Sequence, residues 1–279
     1  MRAPTLTRAA KMSAIPEIKT SVADAVLTIT FDNPPDGLMT DAMGKALLGV
    51  VEGEAAGDDV RCVILTGGVE GVFVKHHSGD DLLKLSNGLR KAGKTFDETS
   101  RVDDHVMNQC ARALEALPKP VIAAINGHAM GGGLELAMAC DIRLVEHGEF
   151  SIGLPEVNIG LLPGAGGTQR LARLVGLGRA LEMILRGRTI APAQAVSMGL
   201  AHELVEDAMV RANELAAELA AKPPRALAHA KRLVRAALPP IDPENLLLES
   251  RLFLDLVVQD EAHERLSKMV SGERDIRDG

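Results

Sequence analysis

The 279-residue chain contains no tryptophan and no tyrosine, and only five phenylalanines. Its core must therefore be built from Leu, Val, Ile, Ala and Met. Without aromatics, the stacking platforms that single-stranded nucleic acid requires are hard to assemble. The net charge of −7 argues in the same direction, against nucleic acid or an anionic membrane as the main partner. Cysteine is scarce as well. Cys62, Cys110 and Cys140 are far apart and each sits in an apolar or helical context, so buried reduced thiols in a cytoplasmic protein are expected rather than a disulfide framework or a zinc site. No apolar run reaches the length of a membrane span, so no membrane partner is expected. Three chemical motifs are missing too. GGGLEL lacks the last glycine of a dinucleotide fingerprint, neither GGGLEL nor GAGGTQ carries the Gly-Lys-Ser/Thr of a phosphate loop, and no G-x-S-x-G nucleophile elbow occurs.

What is present is a soluble composition, nearly half hydrophobic and a quarter charged. Residues 1–16 read as a disordered lead-in; Arg2, Arg8 and Lys11 resemble a transit peptide without an apolar segment, and Met12 would serve equally as an internal start. VADAVLTITFDNPPDG alternates apolar and polar residues and ends in turn formers, which predicts a strand. Residues 41–51 predict a short amphipathic helix capped by Thr40 or Asp41. Residues 60–66 and 121–126 are β-branched apolar runs suited to burial on both faces, and 142–145 makes a fourth strand. Between them, 67–96 is Gly-rich and charged and is expected to be a mobile surface segment. Residues 102–117 predict a helix stopped by Pro118 and Pro120. Strand and helix alternate, so the class is α/β. From about Met209 the pattern is helical, and the apolar helix NLLLESRLFLDLVV needs a partner surface. The implied division is a tail at 1–16, a core at 17–205 and a helical region at 206–279.

The chemistry concentrates between Pro120 and Asp141. A strand ends at Asn126, and Gly131, Gly132 and Gly133 let the backbone turn sharply into a helix. The free N–H groups at that helix start suit an oxygen that gains negative charge during reaction. A plain packing turn would look the same. Glu135 follows in an otherwise apolar helix, where a carboxylate is costly to bury, although a helix N-terminus also favours an acidic residue. Glu156 stands in GLPEVNIGLLPGAGGTQRL, framed by Gly, Pro and apolar side chains. Two carboxylates at one electrophilic site can place and protonate a water across a double bond, but spacing alone does not show that they converge.

These segments, KPVIAAINGHAMGGGLELAMACDIRL and GLPEVNIGLLPGAGGTQRLARLVG, together with DVRCVILTG before them and GRTIAPAQAVSMGLAHELV after, closely resemble the enoyl-CoA hydratase/isomerase (crotonase) family over roughly residues 20–205. The resemblance implies a crotonase-like spiral of repeated ββα units with a C-terminal α-helical trimerisation region. It implies an acyl-CoA substrate, a homotrimer or dimer of trimers, no metal, and no cofactor, since coenzyme A is part of the substrate. It also places an oxyanion hole at the backbone N–H groups of His77 and Gly132, catalytic roles at Glu135 and Glu156, and substrate contacts at Gly131, Gly133, Pro155 and Gly164. Both glutamates are kept, which favours hydration of a 2-enoyl-CoA over isomerisation, CoA-ester hydrolysis or a non-catalytic binding role.

The chain departs from the family pattern in three places. In Phe73-Val-Lys-His76-His77-Ser78-Gly79-Asp80-Asp81-Leu, His76 replaces the usual glycine and His77 falls on the donor position when counted from Phe73; counted back from Leu82, the match is Gly79 or Asp80. His76, His77, Asp80 and Asp81 have metal-ligand chemistry, but no further ligand spacing accompanies them and a polar loop accounts for them. NPPDGLMTDAM lacks the asparagine that commonly follows Ala-Leu in the family and sits near the coenzyme A moiety, and SGERDIRDG lacks the Phe and the basic pattern with which many members close that site in a neighbouring subunit.

Overall fold

The structure, a computed structural model, describes residues 17–279, so the expected N-terminal tail lies outside the described residues. A six-stranded sheet runs in the order β1 (Glu17–Ala23), β2 (Val26–Asp32), β3 (Cys62–Gly67), β5 (Val121–Ile125), β7 (Ile142–Glu146), β10 (Glu203–Val205). All its pairings are parallel except β1 with β2. A second sheet holds β4 (Gly71–Val74), β6 (Gly127–Met130), β8 (Ile152–Gly153) and β9 (Thr189–Ile190). The chain thus moves repeatedly from the first sheet to the second and then into a helix. β3 and β4 lead to α2 (Gly79–Lys91), β5 and β6 to α4 (Gly132–Ala139), and β7 and β8 to a 3-10 helix (Glu156–Ile159) and α5 (Gly167–Val175). This is the expected ββα spiral.

The twin burial of the middle strands follows from their composition. Val63, Leu65, Val121, Ala123 and Ile125 point into the main core beside α1 (Asp41–Glu52) and α3 (Val106–Ala116). The alternate residues Cys62, Ile64, Ile122, Ala124 and Leu144 face α8 (Ala208–Ala220). α8 meets them with Ala208, Ala212 and Ala216, one small residue per turn, so the helix lies close to the sheet. α6 (Leu177–Leu185), α7 (Pro192–Ser197), α9 (Pro224–Arg235), α10 (Pro243–Val257) and α11 (Asp260–Ser271) complete the chain.

Two expectations need correction. The first strand is a hairpin: Asp24 (φ 50°) and Ala25 (φ 61°) form the tight turn between β1 and β2, a two-residue connection that the alternating pattern runs straight through. The segment after β3 is not a bare surface loop. Val72, Phe73 and Val74 of β4 are buried, and α2 is anchored by the C-terminal helices: Ser86 Oγ donates to the Val257 carbonyl at 2.7 Å and Arg90 Nη1 to the Val258 carbonyl at 2.7 Å. Its charged residues cover the outer face, which hid the helix. The apolar helix expected to need a partner surface, α10, finds one within the chain along part of its length, where Val257 is buried and Phe253, Leu254 and Leu256 pack beside it; among the exposed apolar side chains are Leu177, Leu181 and Leu185 on α6 and Leu233 and Val234 on α9.

Candidate active site

Glu135 and Glu156 line one cavity of about 150 Å³, with Gly131, Gly132, His76 and His77 beside them. Leu82, Leu85, Leu161, Leu162, Phe253 and Leu254 make much of the rest of the wall apolar. α4 begins directly at the glycine turn, so Glu135 is in its first turn and projects from a wholly buried helix. The Glu135 side chain is 3 % exposed. Its Oε1 accepts the N–H of Ala165 at 2.8 Å and of Gly167 at 2.7 Å. A β-carbon on Gly167 would lie 2.6 Å from that oxygen, so only glycine lets the backbone come this close. Burial pushes the Glu135 carboxyl up to about 7, the negative charge of Glu249 adds to this, and the two amides with Arg170 oppose it.

Glu156 opens the 3-10 helix that follows Pro155 and is 8 % exposed. Its Oε2 is buried with no hydrogen-bond partner among the described residues. Burial first, and then the Glu135 charge, raise its carboxyl well above the usual range. The two acids therefore differ in kind. One is cradled by amides and ionises near neutrality; the other, without a partner on Oε2, is pushed toward its protonated form.

Two backbone N–H groups are free at the cavity wall. Gly132 is the first residue of α4, where helix geometry leaves the N–H unpaired. His77 forms an isolated parallel bridge with Met39, in which Met39 N–H donates to the His76 carbonyl (2.9 Å) and Ser78 N–H to the Met39 carbonyl (2.7 Å). This leaves the N–H of His77 itself on the opposite side, without a partner among the described residues. His76 hydrogen-bonds through Nδ1 to the His77 carbonyl at 2.7 Å, and burial pushes its imidazole pKa down, so it is a neutral donor. Gly79 and Asp80, the alternative match, lie in the first turn of α2. At the rim, Asp41 Oδ1 stands 3.2 Å from His77 Nε2 and 3.5 Å from His105 Nε2, and these imidazoles hold the Asp41 carboxyl far below its usual range.

Gly131 and Gly164 also line the cavity, whereas Gly133 and Pro155 are not among its lining residues. A β-carbon on Gly133 would meet the Val74 carbonyl at 2.3 Å, so that glycine serves helix-to-strand packing. Sequence reasoning missed Asp41, His105, and the amides of Ala165 and Gly167. Those amides had a visible signal in GAGG, a second glycine turn opening a helix. Among the described residues, no group of three or more His, Cys, Asp or Glu side chains is arranged to hold a metal ion, and no helix is long and apolar enough to cross a membrane.

The spiral of ββα units defines a crotonase-type fold, and comparison with known proteins agrees. The family model for enoyl-CoA hydratase/isomerase matches residues 21–271. The chain belongs to that family. It is 36% identical over 214 residues to the short-chain-enoyl-CoA hydratase of Clostridium acetobutylicum, covering 75% of this chain and 77% of that one. It is 35% identical over 253 residues to the fatty acid oxidation complex subunit alpha of Shewanella frigidimarina, a match over 89% of this chain but only 33% of that longer protein. Among solved structures, the enoyl-CoA hydratase of Bacillus anthracis superposes with a TM-score of 0.70 at 31% identity, covering 91% of this chain and 96% of that one.

Proposed function

We propose that the chain hydrates 2-enoyl-CoA thioesters. The observation that carries this reading is the asymmetry of the two buried acids in one cavity: Glu135 on two amide donors, Glu156 without any partner on Oε2. In the reaction, Glu135 holds a water and takes its proton as the water oxygen bonds to the β-carbon. The electron pair of the double bond moves toward the thioester oxygen, and Glu156 delivers a proton to the α-carbon. The sum is one water added across the double bond. The N–H groups of Gly132 and His77 hold the thioester oxygen while it carries enolate charge; donors of this kind act most strongly in a dry site. Gly131 and Gly164 border the reacting atoms, and the apolar wall at Leu82, Leu161 and Phe253 takes the acyl chain. Coenzyme A enters as part of the substrate, and no other cofactor takes part. The exposed leucines of α6 and α9 fit burial against further copies of the chain, as a homotrimer or a dimer of trimers.

The test is the loss of enoyl absorbance with crotonyl-CoA and longer 2-enoyl-CoA esters, run in labelled water. Hydration places solvent oxygen on the β-carbon. Incorporation of solvent hydrogen without oxygen would instead establish an isomerase, and no turnover at any chain length would end the hydratase reading.

A further inference from the structure

One buried carboxylate has no part in this chemistry. Glu249 lies in the middle of α10 and is 4 % exposed. Its Oε1 accepts the N–H of Gly166 at 2.5 Å, and its Oε2 accepts both the N–H of Thr168 at 3.3 Å and the Thr168 hydroxyl. Gly166 and Thr168 alternate with Ala165 and Gly167, the residues whose amides hold Glu135. Four consecutive N–H groups are thus shared between two carboxylates, one from α4 and one from α10. Gly167 and Thr168 open α5 behind the N-cap Gly166, so the two carboxylates between them take the N–H groups that a helix start leaves free. Arg170 closes the loop from a third direction: Nη1 donates to the Ala165 carbonyl at 2.9 Å, and Nε pairs with Glu115 of α3 at 2.9 Å. The titratable groups around Glu135 are therefore Glu249 from α10, Arg170 from α5, paired with Glu115, and Glu156 from the 3-10 helix, whose own ionisation the Glu135 charge disfavours.

We infer that Glu249 is a positioning residue for the hydration step: it locks the Ala165–Thr168 loop so that two amides meet Glu135. The inference rests on the hydratase reading of Glu135. Its consequence is that the spiral core alone does not hold a finished site; α10 must dock to complete the amide cradle. The carboxylate also acts through its charge. Burial raises the Glu249 carboxyl as well, and in its ionised form it disfavours ionisation of Glu135 and makes it a stronger base.

The experiment uses the full chain, crotonyl-CoA as probe, and the pH profile of kcat/KM. Glu249→Gln keeps the shape of the side chain and removes its charge. Glu135 then ionises at lower pH, so the acidic limb moves down. Thr168→Val keeps the charge and the backbone contacts but removes the hydroxyl that Glu249 accepts, which loosens the loop. It lowers kcat by roughly tenfold with little change in KM or in the limb, as loss of an outer-layer support does, and Thr168→Ser restores the rate. A folded Glu249→Gln protein with the wild-type profile overturns the inference. If that variant does not fold, an unchanged kcat in Thr168→Val overturns it. If the wild-type chain hydrates no enoyl-CoA, the hydratase reading fails on its own, and the cradle is read by carbon-13 NMR titration of the Glu135 carboxyl, assigned with Glu135→Gln. A lower titration point in Glu249→Gln supports the coupling, and an identical one overturns it.

Discussion

Gly131 and Glu156 are held so close that a β-carbon on Gly131 would stand 2.9 Å from Glu156 Oε1. Gly131 also has φ +50°, in the left-handed region. Two separate constraints therefore meet at one residue, backbone conformation and room for the acid. Gly131→Ala is expected to destabilise the fold by about 1–3 kcal/mol through the backbone conformation, since φ +50° with ψ −128° is a region side-chain-bearing residues rarely occupy, and to push Glu156 away from its place. Urea unfolding measures the first effect. Hydratase turnover measures the second, and a loss of turnover well beyond any loss of folded protein is the expected result.

The two acids are expected to be individually indispensable. Glu135→Gln and Glu156→Gln each lower hydratase turnover by about 10²–10⁴, the usual contribution of a general acid or base. Because both serve one transition state, the double variant loses less than the product of the single losses. Steady-state kinetics on the three variants decides this. A multiplicative double loss would mean that the residues act in separate steps.

Much of this arrangement is legible in the sequence, for physical reasons. Glycine turns, buried β-branched strands and lone carboxylates in apolar helices are local signals, and they mark β3, β5, α4 and Glu135 directly. What stays hidden depends on distance. Nothing around Glu249 shows that it meets Thr168 from 81 residues away. α2 reads as a loop because its only wholly buried residues are Gly79 and Ser86, and its partners lie in α10 and α11. The β1–β2 turn uses Asp24 and Ala25 rather than the glycine or asparagine that would announce it. His77 is legible as a position but not as a free donor, since that depends on its bridge to Met39.

The alanine ladder of α8 makes a packing prediction. Ala212 is fully buried against the outer face of β3 and β5. Ala212→Leu inserts three carbons where the helix already lies close to the sheet, and is expected to cost about 1–3 kcal/mol. The midpoint of urea unfolding falls while its slope stays constant. An unchanged midpoint would show that α8 moves freely on the sheet.

The last prediction joins catalysis to stability. Burial and the neighbouring Glu135 raise the Glu156 carboxyl above its ordinary value of 4.5. A carboxyl raised in the folded state binds its proton more tightly there than in the unfolded chain. Its contribution to stability is therefore fully present below about pH 4.5 and is lost as pH rises from there through the folded value. Above that window the fold carries the cost of a carboxyl that ionises freely only when unfolded. Glu156→Gln removes the titration while keeping the size of the side chain. The variant is expected to be more stable than wild type at pH 8, because the wild-type carboxyl binds its proton more tightly in the folded than in the unfolded chain. At pH 4.5 the gain should vanish. Paired thermal unfolding curves of wild type and Glu156→Gln across this range measure the difference. A Tm difference that does not change with pH would show that Glu156 titrates alike in the folded and unfolded chain, and with it would go the argument that the site keeps this residue protonated for delivery to the α-carbon. An inactive but stabilised Glu156→Gln protein is the expected signature of an acid buried for its chemistry at the expense of the fold.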